Sequence, residues 1–164
     1  MKFIDKKIIE YCHEHSNKDS NILEDLQSYT IANEELPQMI SGNMVGNFLQ
    51  FLIQSTSAKK ILEVGTFTGY SAIKMAQINP ECEIHTCERM EQHVETANNF
   101  VKKANLENNI TVHHGSAINT LEAFKIGYFD LAFIDADKVN YPKYHTISLE
   151  LLKKGGIGIL DNML

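Results

Sequence analysis

The amino-acid sequence predicts an α/β fold, a doubly wound and mainly parallel sheet preceded by N-terminal helices. From Lys59 onward, short apolar runs alternate with helical patterns five times, which is typical of parallel strands joined by crossover helices. The last two runs lack the alternation of a half-exposed strand, as expected when helices cover both faces of a sheet. Before residue 58 the apolar spacing is helical only. We therefore predict one domain, with a helical cap over 1–57 and an α/β core over 58–164.

Three helices are predicted in the cap. The first has one apolar face, formed by Ile4, Ile8, Tyr11 and Cys12. The second runs through Leu23 and Leu26. The third carries an i, i+3, i+4, i+7, i+8 stripe formed by Val45, Phe48, Leu49, Leu52 and Ile53. Ser41 stands before this stripe, where it is predicted to cap the helix.

Five strands and four helices are predicted in the core. The strands lie in the segments KILEVG, EIHTCE, ITVHHG, YFDLAFID and GIGILD, the last two centred on Phe129–Ile134 and Ile157–Leu160. The helices between them are predicted over 70–78, 92–104, 116–124 and 140–152. Pro142 falls in the first turn of the last helix, where its missing N–H does no harm, and that helix stops before Gly155 and Gly156.

Composition excludes several classes of protein. The 164 residues carry a net charge of −6, so no overall basic field attracts nucleic acid or an anionic membrane. The sequence contains no apolar run of membrane-spanning length and no signal-peptide core, and its three cysteines form no CxxC pair. We expect a cytoplasmic protein that does not bind membranes.

The predicted fifth strand ends only a few residues before Leu164. An apolar strand in that position leaves an open sheet edge, which favours pairing with another chain. We therefore expect a dimer or larger species, with the segment after Gly156 near an interface.

Acidic residues cluster where the predicted strands end. Glu63, Glu88, Asp135 and Asp161 each lie at or near the carboxyl end of a different strand. Ligands of doubly wound sheets bind beyond these ends. Four acids at five strand ends exceed what solubility requires, so the set predicts a binding site.

The first strand-to-helix turn reads LEVGTFTGYS. Gly65 and Gly69 allow a tight turn and close approach of a ligand, although glycines serving only the turn are an alternative. Phe67 and Tyr70 break the GxGxxG pattern of dinucleotide sites, which disfavours a nicotinamide oxidoreductase. Glu88 is placed to accept ribose hydroxyls, or else is an ordinary solvated acid.

The ends of the fourth and fifth strands predict a cation site. Two carboxylates and an amide oxygen converge there, from Asp135, Asp161 and Asn162, and such hard oxygen ligands suit Mg²⁺, Ca²⁺ or Mn²⁺. In the alternative interpretation, Asp135 caps a turn and Asp161-Asn162 forms an Asx turn. Lys138 is either a surface lysine or a cation held beside this site.

The motifs LEVGTFTGYS, HGSA, FIDADKVNY and GGIGILDN, together with Glu88, resemble the class I cation-dependent O-methyltransferases. That family includes the caffeoyl-CoA O-methyltransferases and, more distantly, catechol O-methyltransferase. The resemblance runs from about Met39 to Leu164. It implies a Rossmann-like methyltransferase fold, S-adenosylmethionine (SAM) as cofactor, Mg²⁺ as the first choice of cation, and a small aromatic acceptor with vicinal hydroxyls. Family members are commonly homodimers.

The resemblance also assigns roles to individual residues. SAM contacts carry over onto Ser41, Glu63, Gly65, Thr66, Ser71, Glu88, Ala117 and Asp137. Metal ligands carry over onto Asp135, Asp161 and Asn162, and the catalytic pair onto Lys138 and Asp135. The sequence leaves open whether Lys138 accepts a proton or stabilises an oxyanion.

Family members continue beyond the DN motif with further strands that this sequence lacks. A non-catalytic or truncated SAM-binding fragment is therefore the main alternative function. Methylation of a hydroxylated tRNA base is a second alternative, because some bacterial proteins that resemble the family modify RNA.

Overall fold

A computed structural model describes residues 5–163, so the predicted helix residue Ile4 and the terminal Leu164 lie outside the described residues. The strands are β1 (Lys60–Val64), β2 (Glu83–Glu88), β3 (Ile110–His114), β4 (Phe129–Ile134) and β5 (Leu152–Leu160). The helices are α1 (Lys6–Glu14), α2 (Asn21–Asn33), α3 (Gly42–Thr56), α4 (Tyr70–Ala76), α5 (Glu91–Lys103), α6 (Ala117–Glu122) and α7 (Tyr141–Leu151). Two short 3₁₀ helices span Pro37–Met39 and Lys138–Asn140.

The five strands form one parallel sheet in the order β3-β2-β1-β4-β5. This confirms the predicted doubly wound architecture. Strand order reverses between β1 and β4, and Val64 at the end of β1 pairs with Cys87 on one side and Ile134 on the other. Ile134 in turn pairs with Leu160 of β5. The carboxyl ends of four strands therefore meet at one edge, where a doubly wound sheet binds its ligands.

Alternating side chains of the strands build a core on each face of the sheet. Ile61 points to a core shared with α2, α3, α4 and α5, whereas Leu62 and Val64 point to a core shared with α6 and α7. Five of the six β4 residues are buried because helices cover both faces of that strand. The sheet is thereby fixed between two layers of helices.

Two local predictions need correction. Ser41 occupies the cap position of α3, but its backbone is already helical and its side chain makes no capping hydrogen bond. The fifth strand starts at Leu152 rather than near Ile157, because Leu152 has an extended backbone and pairs with Phe129 directly after α7. The register then shifts between Phe129 and Leu131, so the early part of β5 lacks the regular pattern that reveals a strand in sequence.

The edge strand β5 pairs with β4 on one side, and no other strand within residues 5–163 pairs with its outer edge. Association through that edge stays a prediction. Over the same range, no helix is both long enough and apolar enough to cross a bilayer.

Candidate active site

A cavity of about 820 Å³ opens at the carboxyl ends of the strands. Eleven of the twelve residues in the predicted site line it: Ser41, Gly65, Thr66, Ser71, Glu88, Ala117, Asp135, Asp137, Lys138, Asp161 and Asn162. The exception is Glu63, which is fully buried beneath the cavity. A smaller hollow of about 390 Å³ beside α2 and α5 contains none of them. Sequence reasoning therefore located the site, although the roles assigned to its residues stay predictions.

The β1–α4 turn forms the floor of this cavity. Gly65 has φ +104°, and its N–H donates to the carbonyl of Cys87 at 3.1 Å. A Cβ at this position would lie 1.9 Å from the carbonyl oxygen of Asp135, so only glycine fits. Phe67 also adopts a left-handed backbone, with φ +50°, which is uncommon for a bulky residue. The turn is thus pressed against the chain that leaves β4.

Glu88, the predicted ribose ligand, organises this turn. One carboxylate oxygen accepts the N–H of Phe67 at 2.9 Å, and the other accepts the N–H groups of Arg89 and Met90, also at 2.9 Å. An ionised carboxylate offers about four acceptor positions, so three amides leave capacity for a further donor. The carboxylate is held in place by backbone and still faces the cavity.

Glu63 is buried under the turn in an unusual environment for an acid. Its Oε2 accepts the hydroxyl of Thr86 at 2.5 Å, and Thr86 also hydrogen-bonds to Thr66. Its Oε1 has no hydrogen-bond partner among the described residues. Burial raises the pKa of Glu63 to about 7, against smaller opposing effects of the nearby Ser71 and Thr86 hydroxyls. A positive charge placed above this carboxyl would compensate it.

The predicted cation ligands lie side by side. The N–H of Asp161 donates to the carbonyl of Ile134 at 3.0 Å, which places Asp161 next to Asp135. Burial and the charge of Asp161 raise the pKa of the Asp135 carboxyl. Asn162 Nδ2 donates to Asp161 Oδ2 at 2.9 Å, which leaves its amide oxygen unused in that bond. Two neighbouring carboxylates and an amide match the donor set of a hard divalent cation.

Ser41, which does not cap α3, reaches this acidic group instead. Its hydroxyl donates to Asp135 Oδ2 at 3.3 Å across 94 residues of sequence. Ser41 and Val45, which lies one turn into α3, therefore form part of the wall of the cavity, and the cap contributes directly to the site.

Lys138 lies at the rim on a 3₁₀ turn. Its Nζ donates to the hydroxyl of Tyr141 at 2.5 Å and to the backbone carbonyl of Asp161 at 2.9 Å. Within residues 5–163 it forms no ion pair with a carboxylate, although its charge lowers the pKa of Asp135. The ammonium group is positioned by neutral oxygens next to the acidic residues.

Asp137 faces the same cavity. Burial acts to raise the pKa of Asp137, but hydrogen bonds from Tyr144 and Asn140 hold that pKa below its usual range. The donor–acceptor distances are 2.7 Å from the Tyr144 hydroxyl and 2.6 Å from Asn140 Nδ2. This carboxylate is ionised and oriented by its neighbours on the turn before α7.

Sequence reasoning missed several residues that shape the site. The aromatic or imidazole side chains of Tyr70, His93 and Tyr144 line the cavity. Tyr70 belongs to a buried network in which Asp19 pairs with Lys74 at 2.7 Å, with side-chain exposures of 6% and 3%. The available signal for this network was Lys74 inside the mostly apolar helix YSAIKMA, because a buried lysine requires a counter-ion.

The O-methyltransferase family model matches residues 13–164. The chain belongs to the O-methyltransferase family. It is 32% identical over 162 residues to the Dictyostelium discoideum protein named "Probable caffeoyl-CoA O-methyltransferase 2", covering 96% of this chain and 70% of the relative. It is 34% identical over 131 residues to the catechol O-methyltransferase of Mycobacterium tuberculosis, covering 79% and 60%.

Among solved structures, the fold is similar to that of the O-methyltransferase TomG from Streptomyces achromogenes in complex with SAM. The TM-score is 0.86 with 28% sequence identity, covering 95% of this chain and 71% of that one. This complex supports SAM as the cofactor of this O-methyltransferase. The chain spans 60 to 70% of the length of the two curated relatives described above.

Proposed function

We propose that the protein transfers the methyl group of SAM to a hydroxyl of a small catechol-like aromatic acceptor, with Mg²⁺ bound at Asp135, Asp161 and Asn162. The observation that carries the proposal is one cavity lined both by the β1–α4 turn, which we call the cofactor turn, and by the three oxygen-donor residues at the ends of β4 and β5. Its volume lies within the range of small-molecule sites. Relatives named for caffeoyl-CoA and catechol support this class of acceptor.

The residues fit a cationic cofactor. SAM supplies an already activated methyl group on a positive sulfonium. Glu63, with its unpartnered buried oxygen, provides a compensating charge below the turn. Glu88 faces the cavity with remaining acceptor capacity, which suits the ribose hydroxyls, and the backbone at Gly65 leaves room for close approach.

The residues at the ends of β4 and β5 handle the acceptor in this proposal. A divalent cation would supply the charge that favours the ionised form of an aromatic hydroxyl. Lys138, held by Tyr141 and the carbonyl of Asp161, stands beside that position to take the proton or to stabilise the resulting oxyanion. Ser41 and Asp135 orient the hydroxyl relative to the cofactor floor.

The test combines an activity assay with a binding assay. Purified protein is incubated with SAM and catechol, with and without Mg²⁺, and methylated product is quantified by mass spectrometry. In parallel, Mn²⁺-dependent thermal stabilisation is compared between the unmodified chain, Asp161→Asn and the exposed-site control Asp25→Asn. We expect cation-dependent product, and a thermal shift that only Asp161→Asn abolishes. Absence of product with Mg²⁺, Ca²⁺ and Mn²⁺ would contradict the proposed reaction.

A further inference from the structure

The imidazole of His93 lies between two mostly buried carboxylates. Its Nε2 is 3.2 Å from Glu34 Oε2 and its Nδ1 is 3.7 Å from Glu88 Oε1. The side chains of His93, Glu34 and Glu88 are only 11%, 6% and 11% exposed. Three ionisable groups in one enclosed row are more than packing requires.

This row connects two separate parts of the protein. Glu34 is the C-terminal cap residue of α2 in the helical cap, whereas Glu88 ends β2 at the floor of the cavity. His93 lies in the first turn of α5 between them. Gln92 Nε2 also approaches Glu34, at 3.3 Å from Oε2. The imidazole is therefore held from the cap side and faces the cofactor side.

His93 also contacts the strained part of the cofactor turn. The ring of Phe67 packs edge-to-face against the imidazole, with centroids 4.8 Å apart and an interplanar angle of 82°. The N–H of that same Phe67 donates to Glu88. The position of the imidazole thus affects both the Glu88 carboxylate and a residue that supplies one of its three hydrogen bonds.

From this geometry we propose that Glu34 is a remote positioning residue for Glu88 and acts through His93. A carboxylate can only accept, so Nε2 directs its hydrogen to Glu34, and this bond fixes the plane of the ring. Nδ1 then faces Glu88 Oε1 at 3.7 Å, which is too far for a hydrogen bond, so the ring acts on the carboxylate through its packing against Phe67, whose N–H donates to Glu88. The arrangement restricts the Glu88 carboxylate to the orientation in which it receives ribose hydroxyls. The inference rests on the proposed function, in which Glu88 is the ribose ligand.

The test uses two ligands that differ only at the ribose: S-adenosylhomocysteine (SAH) and its 2′,3′-dideoxy analogue. Calorimetry gives both dissociation constants, and their ratio measures recognition of the hydroxyls. We expect Glu88→Gln to reduce that ratio about tenfold, since it weakens charge-assisted hydrogen bonds. We expect Glu34→Gln to reduce it by about threefold or more, with affinity for the dideoxy analogue kept within about twofold.

Two further variants sharpen the test. His93→Phe keeps a ring against Phe67 but removes both nitrogens, and we expect it to reduce the ratio as much as Glu34→Gln does. The double variant should show no additional loss, because the two residues act in one chain of contacts. Glu35→Gln, at the exposed neighbouring position, is the matched control and should leave the ratio unchanged.

The outcomes separate this inference from the proposed function. If Glu34→Gln or His93→Phe weakens both ligands equally, the row is only structural and the inference is overturned. The same holds if Glu88→Gln lowers the ratio and neither of the others does. If Glu88→Gln leaves the ratio unchanged, Glu88 is not the ribose ligand. If the unmodified chain binds no SAH, the proposed function itself is wrong. Should Glu34→Gln fail to fold, His93→Phe alone decides between these results.

Discussion

Two carboxylates buried in this protein have opposite surroundings. Asp19, in the cap, accepts four hydrogen bonds, from Lys74 Nζ, the Tyr70 hydroxyl, Asn43 Nδ2 and Gln27 Nε2, at 2.6 to 2.9 Å. Glu63, below the cavity, accepts the Thr86 hydroxyl and leaves one oxygen without a partner among the described residues.

The two pKa values differ accordingly. Burial acts to raise the pKa of Asp19, but hydrogen bonds from Lys74 and Tyr70 hold that pKa below its usual range. Burial instead raises that of Glu63 to about 7. Asp19 is therefore fully paired within the fold and anchors the cap, whereas one carboxylate oxygen of Glu63 is left without a partner beneath the cofactor turn. An incomplete buried charge is typical of a site that receives a ligand.

The largest loss of stability is expected from removing the central carboxylate of the anchor, by which we mean Asp19 with its four donors. Asp19→Ala leaves the ammonium of Lys74, 3% exposed, without its counter-ion. We expect the free energy of unfolding to fall by about 3–5 kcal/mol. Urea denaturation at pH 7 measures it, with Asp25→Ala at an exposed position as control. A loss below about 1 kcal/mol would show that water replaces the missing carboxylate.

Removing the charge of Glu63 should raise the free energy of unfolding instead of lowering it. Its pKa rises from 4.5 to about 7 on folding, so the folded state binds the proton more tightly than the unfolded state. Stability from this group is complete below pH 4.5 and is lost as pH rises through 7, by roughly 3 kcal/mol in total.

Glu63→Gln should therefore remove that decline and be more stable than the unmodified chain at pH 8. Denaturation curves at pH 5, 6, 7 and 8 give the difference. Glu95→Gln, at an exposed position of α5, provides the matched control. Parallel pH dependences in the Glu63 variant and the unmodified chain would contradict the raised pKa.

Removing the hydroxyl that donates to Glu63 should lower the free energy of unfolding by a smaller amount, which depends on pH. Thr86→Val removes the hydroxyl that donates to Glu63. We expect a loss of about 1.5–3 kcal/mol at pH 8, where the acceptor is charged, and about 1 kcal/mol at pH 5, where it is neutral. The same denaturation series checks it, and equal losses at both pH values would be the contrary result.

The smallest loss of stability is expected when only one of the four donors to Asp19 is removed. Gln27→Ala deletes the Nε2 group that lies 2.6 Å from Asp19 Oδ2, and the other three donors remain. We expect a loss of about 1 kcal/mol that stays constant between pH 5 and 8. A loss as large as that of Asp19→Ala would mean that Gln27, rather than Lys74, holds the anchor together.

The sequence predicted the sheet and the surroundings of the cavity because both follow from simple repeats. Alternating apolar runs define parallel strands, and the ends of parallel strands meet at one edge, so Asp135 and Asp161 could be placed together without a structure. The start of β5 could not be predicted, since its pairing with β4 is irregular.

The sequence also could not predict how deeply a site residue is buried or which distant residues pair with each other. Glu63 was predicted to contact the cofactor, but the sequence does not show that it lies under the turn rather than in the cavity wall. The pairs Asp19–Lys74 and Ser41–Asp135 join residues 55 and 94 positions apart, and no periodic pattern relates them. Such contacts arise from tertiary packing, which local sequence patterns do not encode.

The contact of Gly65 with the Asp135 carbonyl has a consequence for how the cavity of this protein can be altered. The backbone alone sets the spacing between the cofactor turn and the acidic strand end, because any Cβ at residue 65 would overlap the carbonyl oxygen. Side-chain substitution therefore cannot adjust that spacing in small steps. A library that varies the cavity walls at Met39, Ile40 and Val45 can change which acceptors enter, while the donor-to-acceptor geometry stays the same in every member.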